Sequence, residues 1–475
     1  MKKLTNSLTL LTLLVLFASV SFAQTQKGID GNWLGAVDVS GVKLRLAFKV
    51  TRNDEKYTAK FDSIDQGALD LDVESVIQEA DSVKFIAPKM GLTYEGKLNE
   101  AGDEITGSLK QGAAVLPLVL KRVTDLPRIG RAQDPQKPFP YIEEEVSYRN
   151  DKDNIKLAGT LTMPQTSGTY PAVILITGSG SQDRNETIAG HRPFLVLADA
   201  LTRKGIAVLR VDDRGVGGSD LGPLSVTSEN YAEDVLAGIA YLKSRKEINP
   251  KQIGLIGHSE GGMIAPMVAA RSGDVAFIVL LAGLGQTGAD VMYKQTELIQ
   301  KVSGVSPAVT ARALELLKNI IDVVKTQSDK KVVEQQIRDA FVKSSSALSE
   351  DEKKAFAPTR ATMEALMPMF VTEWFRFFLL FDPQPTLRKV RVPVLALNGE
   401  SDLQVPWKEN LDLIASALKA GGNKDYTVKS FPRLNHLFQT SETGALSEYA
   451  KIEETISPLV LDTITNWIQG RTVKR

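Results

Sequence analysis

The 475-residue sequence contains no cysteine. This excludes disulfides, thiolate metal sites, a cysteine nucleophile and a lipid-modified N-terminal cysteine. Packed cores must therefore carry the stability. Net charge is missing too: 57 Lys and Arg balance 57 Asp and Glu, so no bulk field draws the chain to nucleic acid or to an anionic membrane. Histidine is scarce, with three in all, and no His, Asp and Glu group has metal-ligand spacing, so no metal is implied. Beyond the first residues there is no long uncharged apolar run.

The one such run covers residues 8–20. Lys2 and Lys3 precede it, and Ser21-Phe22-Ala23 follows as a small-x-small cleavage site. This is the pattern of a secretory signal peptide, residues 1–23, cut after Ala23. The run is shorter than the ~20 residues that a spanning helix needs. The expected location is secreted or periplasmic, with no integral membrane span after cleavage.

What remains is ordinary for a globular protein, with 43% hydrophobic and 24% charged residues. Residues 28–124 read as β structure. Leu44, Leu46, Phe48 and Val50 alternate with polar neighbours, and similar runs cover 57–61, 82–86, 92–98, 104–109 and 115–120. Asn-Asp, Gly-Asp and Glu-Gly turns separate them, which predicts a small antiparallel barrel or sandwich. Residues 125–140 hold Pro127, Pro135, Pro138 and Pro140 and read as a Pro-rich linker.

From 141 to 475 the rhythm changes. Residues 141–149 and 155–163 open as an antiparallel pair. Continuous apolar runs follow at 172–176, 206–211, 253–256, 276–281 and 392–397, as in parallel strands buried on both faces. Helical stretches at 193–204 and 231–243 lie between them, which predicts a mostly parallel sheet wrapped by helices. About 100 residues separate 281 from 392. They are expected to form a helical lid at about 286–385, with helices at 308–325, 331–342 and 362–380. The last of these carries Trp374, Phe375, Phe377 and Phe378, most of them for the lid's own core and one or two for an apolar substrate pocket.

The chemistry concentrates at strand ends. Gly257-His258-Ser259-Glu260-Gly261 fits G-x-S-x-G, a weak signal alone. Here a short strand runs into it and a helix, residues 262–271, leaves it, the setting of a nucleophile elbow. The glycines allow a cramped turn, and Ser259 stands exposed at its tip. The helix start offers free N–H groups to a developing oxyanion. A base is then required. His258 sits inside the elbow and His191 precedes it. His436, after the strand candidate 426–431, is the histidine that fits the order Ser, acid, His. Asp402, just past the 392–397 strand, would orient His436, with Glu400 as the competing acid. The backbone N–H of Glu260 should supply one oxyanion donor. Ser179, in Gly178-Ser179-Gly180, should supply the second, with Gly180 as the alternative. The loop Asp212-Asp213-Arg214-Gly215-Val216-Gly217-Gly218-Ser219 lacks the Gly-Lys-Ser/Thr ending of a phosphate loop and reads as structural, with Arg214 pairing a carboxylate.

Together these segments, with Leu397-Asn-Gly-Glu-Ser-Asp-Leu-Gln-Val405 and Leu434-Asn-His436, resemble those of bacterial secreted α/β-hydrolase esterases of the serine-aminopeptidase-like family. The resemblance runs from about Tyr141 to the C-terminus. Position 181 is Ser where relatives are expected to have Pro. The resemblance implies an α/β-hydrolase fold with a helical lid insertion, here preceded by the all-β domain. It also implies a carboxylesterase acting on short- to medium-chain esters, with a small-molecule ester as partner and no cofactor. A peptidase or amidase would use the same triad, and a non-catalytic binding protein could use the same scaffold.

Overall fold

The computed structural model describes residues 28–472 apart from 40–41, 55, 65–67, 112–113, 127–130 and 347. The expected signal peptide lies outside the described residues. The chain divides into two units, residues 1–63 with 68–127, and 64–67 with 128–475.

In the first unit the strands are β1 Gly31–Val39, β2 Val42–Asn53, β3 Lys56–Ser63, β4 Ala68–Val73, β5 Ser75–Glu79, β6 Ser82–Ala87, β7 Leu92–Leu98, β8 Glu104–Gln111 and β9 Ala114–Val123. They form one antiparallel sheet in the order β4-β3-β2-β1-β9-β8-β7-β6-β5. Its two edge strands, β4 and β5, are separated in the chain by Glu74 alone, so the sheet curls into a nearly closed barrel. Alternation places Trp33, Phe48, Phe85 and Tyr94 in the interior, all fully buried. Phe48 stacks on Phe85 at 4.3 Å, and the Tyr94 hydroxyl donates to the Ile105 carbonyl at 2.9 Å. Of the two shapes expected, the barrel is found. Strands β4 and β5 are additional to the sequence reading, because Asp70 and Asp72 break up the apolar residues of β4.

The second unit opens with β10 Tyr141–Asn150, β11 Ile155–Pro164 and β12 Tyr170–Ile176. It continues through α1 Pro193–Arg203, β13 Ala207–Val211, α2 Ser228–Ser244, β14 Ile248–His258, α3 Glu260–Ala269 and β15 Phe277–Leu281. The helices α4 Gly288–Val302, α5 Pro307–Thr326, α6 Lys330–Ser346, α7 Glu350–Ala365, α8 Met367–Phe370, α9 Glu373–Leu380 and α10 Pro383–Leu387 follow. The chain closes with β16 Val394–Gly399, α11 Trp407–Ala420, β17 Tyr426–Phe431 and α12 Pro458–Thr472. The sheet order is β10-β11-β13-β12-β14-β15-β16-β17. Strand β11 runs antiparallel to both its neighbours, and from β13 to β17 every pair is parallel. This is the α/β-hydrolase arrangement. The central parallel strands are apolar on both faces because helices cover both, and all five residues of β15 are buried, whereas the edge strand β17 is only partly buried.

Helices α4 to α9 build a core of their own around Leu316, Ile320, Ile337, Phe356, Phe370 and Phe375. The single helix expected over 362–380 is broken into three. Pro368 opens α8, and Thr372 caps α9 by accepting the Phe375 N–H at 3.1 Å. Helix α7 starts further back, at a capping box of Ser349 and Glu352, a Ser-x-x-Glu signal present in the sequence. Residues 131–140 carry no helix or strand, yet they are fastened to this unit. Asp134 pairs with Arg192 at 2.6 Å, and Gln133 donates to the Ile456 carbonyl at 2.7 Å.

Candidate active site

Strand β14 ends at His258 and α3 begins at Glu260, so Ser259 alone makes the turn. Its backbone sits at φ 52°, ψ −113°, a conformation that side chains with a Cβ rarely adopt. The approach of strand and helix is close enough to demand glycine on both sides. A Cβ on Gly257 would lie 2.0 Å from the Gly261 carbonyl oxygen, and one on Gly261 would lie 2.2 Å from that of Ile176. The Ser259 N–H donates to the Leu281 carbonyl at 2.8 Å, which ties the turn to the end of β15. Glu260 is the first residue of α3, so its N–H has no partner one turn back in the helix.

His436 lies in the loop after β17. Asn435 shapes that loop by accepting the N–H groups of Leu437 and Gln439, each at 3.0 Å. The His436 Nδ1 is 2.8 Å from Asp402 Oδ2. The other oxygen of Asp402 accepts the N–H groups of Gln404 at 2.8 Å and Val405 at 2.9 Å. Asp402 is therefore buried, fully hydrogen-bonded and aimed at one nitrogen of His436. Glu400, the competing acid, points elsewhere and accepts the Ser430 hydroxyl at 2.7 Å. His191 is a buried structural histidine, with Nδ1 3.0 Å from the Thr455 hydroxyl and Nε2 2.8 Å from the Tyr449 carbonyl. The rings of His436 and His258 lie 4.7 Å apart, so His436 stands against the elbow that carries Ser259.

The glycine loop after β12 passes over the same point. The Gly178 N–H donates to Glu186 Oε1 at 2.7 Å and is thereby occupied. Ser179 and Gly180, the next two residues, are exposed, and Gly180 has a positive φ of 94°. The loop is anchored by Arg184, whose guanidinium grips Asp212 through Nε at 3.0 Å and Nη2 at 2.7 Å. Arg214 pairs with Asp153 at 2.6 Å, the structural role expected of its loop.

Three residues beyond the expected set belong to this neighbourhood. Glu186 is one. Trp374 of α9 is another: its indole N–H donates to Glu260 Oε1 at 2.8 Å, while the Ser228 hydroxyl donates to the same oxygen at 2.6 Å. The helices inserted after β15 are thus tied to the residue that follows Ser259. Burial raises the Glu260 pKa against these two donors. The third is Asp213. It lines a small crevice together with Tyr148, Thr177, Gly180, Tyr231 and Glu260. Among the described residues no cluster of three or more His, Asp or Glu could hold a metal ion. Of the three, Glu186 sits in no motif; Trp374 and Asp213 lie in stretches read from the sequence as an aromatic helix and a structural loop, and no spacing there ties either to the elbow.

Burial and the neighbouring carboxylates of Glu260 and Glu186 push the Asp213 carboxyl up to about 8, although the Gln182 N–H and the Thr177 hydroxyl donate to it. An unfolded Asp titrates near about 4. Between these values the folded chain holds a proton that the unfolded chain has released. The stability this confers is complete below about pH 4 and is lost as pH rises through about 8. The melting temperature of the wild type minus that of Asp213→Asn should therefore fall steadily between about pH 5 and 8. A gap that stays constant over that range would rule out a raised Asp213.

The family model described as "Serine aminopeptidase, S33" matches residues 192–350. Over 330 residues the chain is 27% identical to the esterase EstD of Thermotoga maritima, with 69% of each chain covered. It is also 25% identical over 273 residues to an uncharacterized 31.7 kDa protein of Escherichia coli, covering 55% of this chain and 84% of that one. Among solved structures, an esterase of Pyrococcus furiosus aligns at 17% identity and a TM-score of 0.44, covering 71% of this chain and 92% of the other. By its strand order, its strand-turn-helix elbow and its sequence relatives, the chain is a serine hydrolase of the α/β-hydrolase fold, similar over residues 192–350 to the serine aminopeptidase S33 family.

Proposed function

We propose that this hydrolase cleaves short- to medium-chain carboxylic esters through an acyl-enzyme, with Ser259, His436 and Asp402 as its triad. The observation that carries the reading is the 2.8 Å contact between Asp402 and His436 Nδ1 beside a serine held in a strained elbow. The Nδ1–H donates to Asp402, which leaves Nε2 as the base. His436 removes the Ser259 hydroxyl proton as the oxygen attacks the ester carbonyl carbon. The oxyanion is held by the N–H groups of Glu260 and Ser179, with Gly180 as the alternative to Ser179. His436 then returns the proton to the leaving alcohol as the ester C–O bond breaks. Water, deprotonated by His436, attacks the acyl-serine, and Ser259 leaves with the proton.

Two features support an apolar ester. The relative EstD is named an esterase. A groove on α9 and the turn after it, one turn beyond Trp374, combines the apolar Phe377, Leu380 and Phe381 with Thr227 and the charged Glu373, Arg376 and Asp382. The charged start and apolar run of residues 2–23 support export as part of the same reading. Amide hydrolysis is the second reading. The likeness of residues 192–350 to the serine aminopeptidase model favours it, since the same triad can attack an amide.

Aryl esters of increasing acyl length and aminoacyl anilides, assayed in parallel, test the choice. The expected result is turnover of the esters with an optimum at short to medium chains; a clear preference for anilides reverses the two readings. Ser259→Ala should abolish ester turnover, and Asp402→Asn should lower kcat by roughly 10³–10⁴-fold with the fold intact. Ester turnover that survives Ser259→Ala sinks the triad.

A further inference from the structure

Acyl transfer by Ser259, His436 and Asp402 gives no task to two buried titratable groups that touch each other, His258 and Glu186. His258 is 5% exposed and Glu186 is 1% exposed. The His258 Nε2 lies 3.0 Å from the carbonyl oxygen of His436, and its Nδ1 lies 2.9 Å from Glu186 Oε1. A carbonyl has no proton to give, so Nε2 must carry one. Glu186 Oε1 already accepts the Gly178 N–H at 2.7 Å. As a carboxylate oxygen it accepts from Nδ1 as well. Both ring nitrogens thus face acceptors, an arrangement that a neutral imidazole can satisfy at one nitrogen and an imidazolium at both.

The electrostatics agree with the geometry. Burial works to discharge the ring, but the Glu186 carboxylate, the His436 carbonyl and Asp402 outweigh it and hold the His258 pKa above its ordinary value. The remaining charged neighbours are accounted for. Asp213, at the end of β13, feels Glu186 as a repelling charge, and the His436 ring lies 4.7 Å away.

Three parts of the site converge on this pair. His258 is the residue before Ser259 in the elbow. His436 carries the base. Gly178 begins the oxyanion loop, and a Cβ placed on it would lie 3.2 Å from Glu186 Oε1, 3.3 Å from Ser259 Cβ and 3.6 Å from His258 Nδ1. Glu186 reaches the point from a backbone φ of 52°, held by a bond from its N–H to the Asp183 carbonyl at 2.9 Å.

We propose that His258 is a standing imidazolium, paired with Glu186, and that this buried ion pair clamps the elbow, the oxyanion loop and the His436 loop in register. His258 is a positioning residue and passes no proton to substrate. Because Glu186 neutralises it, the pair adds no net charge against the imidazolium that forms on His436 during turnover. The protonation state stands on the hydrogen-bond geometry alone; the effect on turnover rests on the triad proposed above.

The test is 15N NMR of the full chain labelled at histidine, between about pH 6 and 9, where an ordinary histidine loses its charge. One ring should keep both nitrogens protonated throughout. Its signal should persist in His191→Gln and His436→Gln and vanish in His258→Asn. A neutral His258 at about pH 8 would overturn the ion pair, whether or not Ser259 proves to be the nucleophile. On aryl esters, Glu186→Gln and His258→Asn should lower kcat by roughly 10–100-fold through misplacement of the reacting groups, with KM within a few-fold of wild type. Glu186→Gln should also leave the His258 ring neutral at about pH 8. An unchanged kcat, or a loss confined to KM, in a variant that melts like the wild type would refute the clamp.

Discussion

The site depends on one close approach, that of β14 and α3 at Ser259. The two backbones come so near that a single methyl group on Gly257 would overlap the Gly261 carbonyl, and α3 also lies so close to the end of β12 that one on Gly261 would overlap the Ile176 carbonyl. That proximity puts Ser259 at φ 52°, ψ −113°, a conformation that costs about 1–3 kcal/mol in isolation. The surroundings sustain it. Strand β14 lies between β12 and β15 in a parallel sheet buried on both faces, and the Ser259 N–H is bonded to the end of β15. In the proposed mechanism the nucleophile and one oxyanion donor, the Glu260 N–H, are neighbours across this one turn, so a single backbone constraint places both.

Around the elbow, three buried carboxylates each have a dedicated partner. Asp402 faces His436, Glu186 faces His258, and Asp212 holds Arg184 at the foot of the glycine loop. A buried ion is expensive unless it is paired and its remaining hydrogen-bond sites are filled, and backbone N–H groups fill those sites for Asp402 and Glu186. Asp213 and Glu260 follow a different pattern. Neither is paired with a cation among the described contacts, and burial raises both. They give the crevice beside the elbow an acidic lining, and Trp374 brings the inserted helices down onto it.

The fold was legible where physics is local. Continuous apolar runs marked the parallel strands because burial on both faces removes alternation, as in β15. The elbow could be read because glycine, serine and glycine must stand at fixed offsets for the turn to close. Asp402 and His436 could be named because each follows a strand at the sheet's C-terminal edge, and the structure brings them to 2.8 Å. What escaped was non-local or masked by composition. Glu186 sits in no motif and acquires its place only when its loop folds over the elbow. The break near Pro368 was hidden by the apolar aromatic run that follows it, and β4 by its two aspartates. The separation of β4 and β5 by one residue, which shapes the barrel, follows from the pairing order of nine strands and from no short stretch of sequence.

The central claim is that Ser259 forms the covalent intermediate, and mapping an adduct tests it most directly. The chain is treated with a fluorophosphonate, digested, and the modified residue located by mass spectrometry. One phosphonyl group on Ser259, with labelling greatly slowed in His436→Ala, is the predicted result. Labelling at another residue, or none at all in folded protein, would contradict the account.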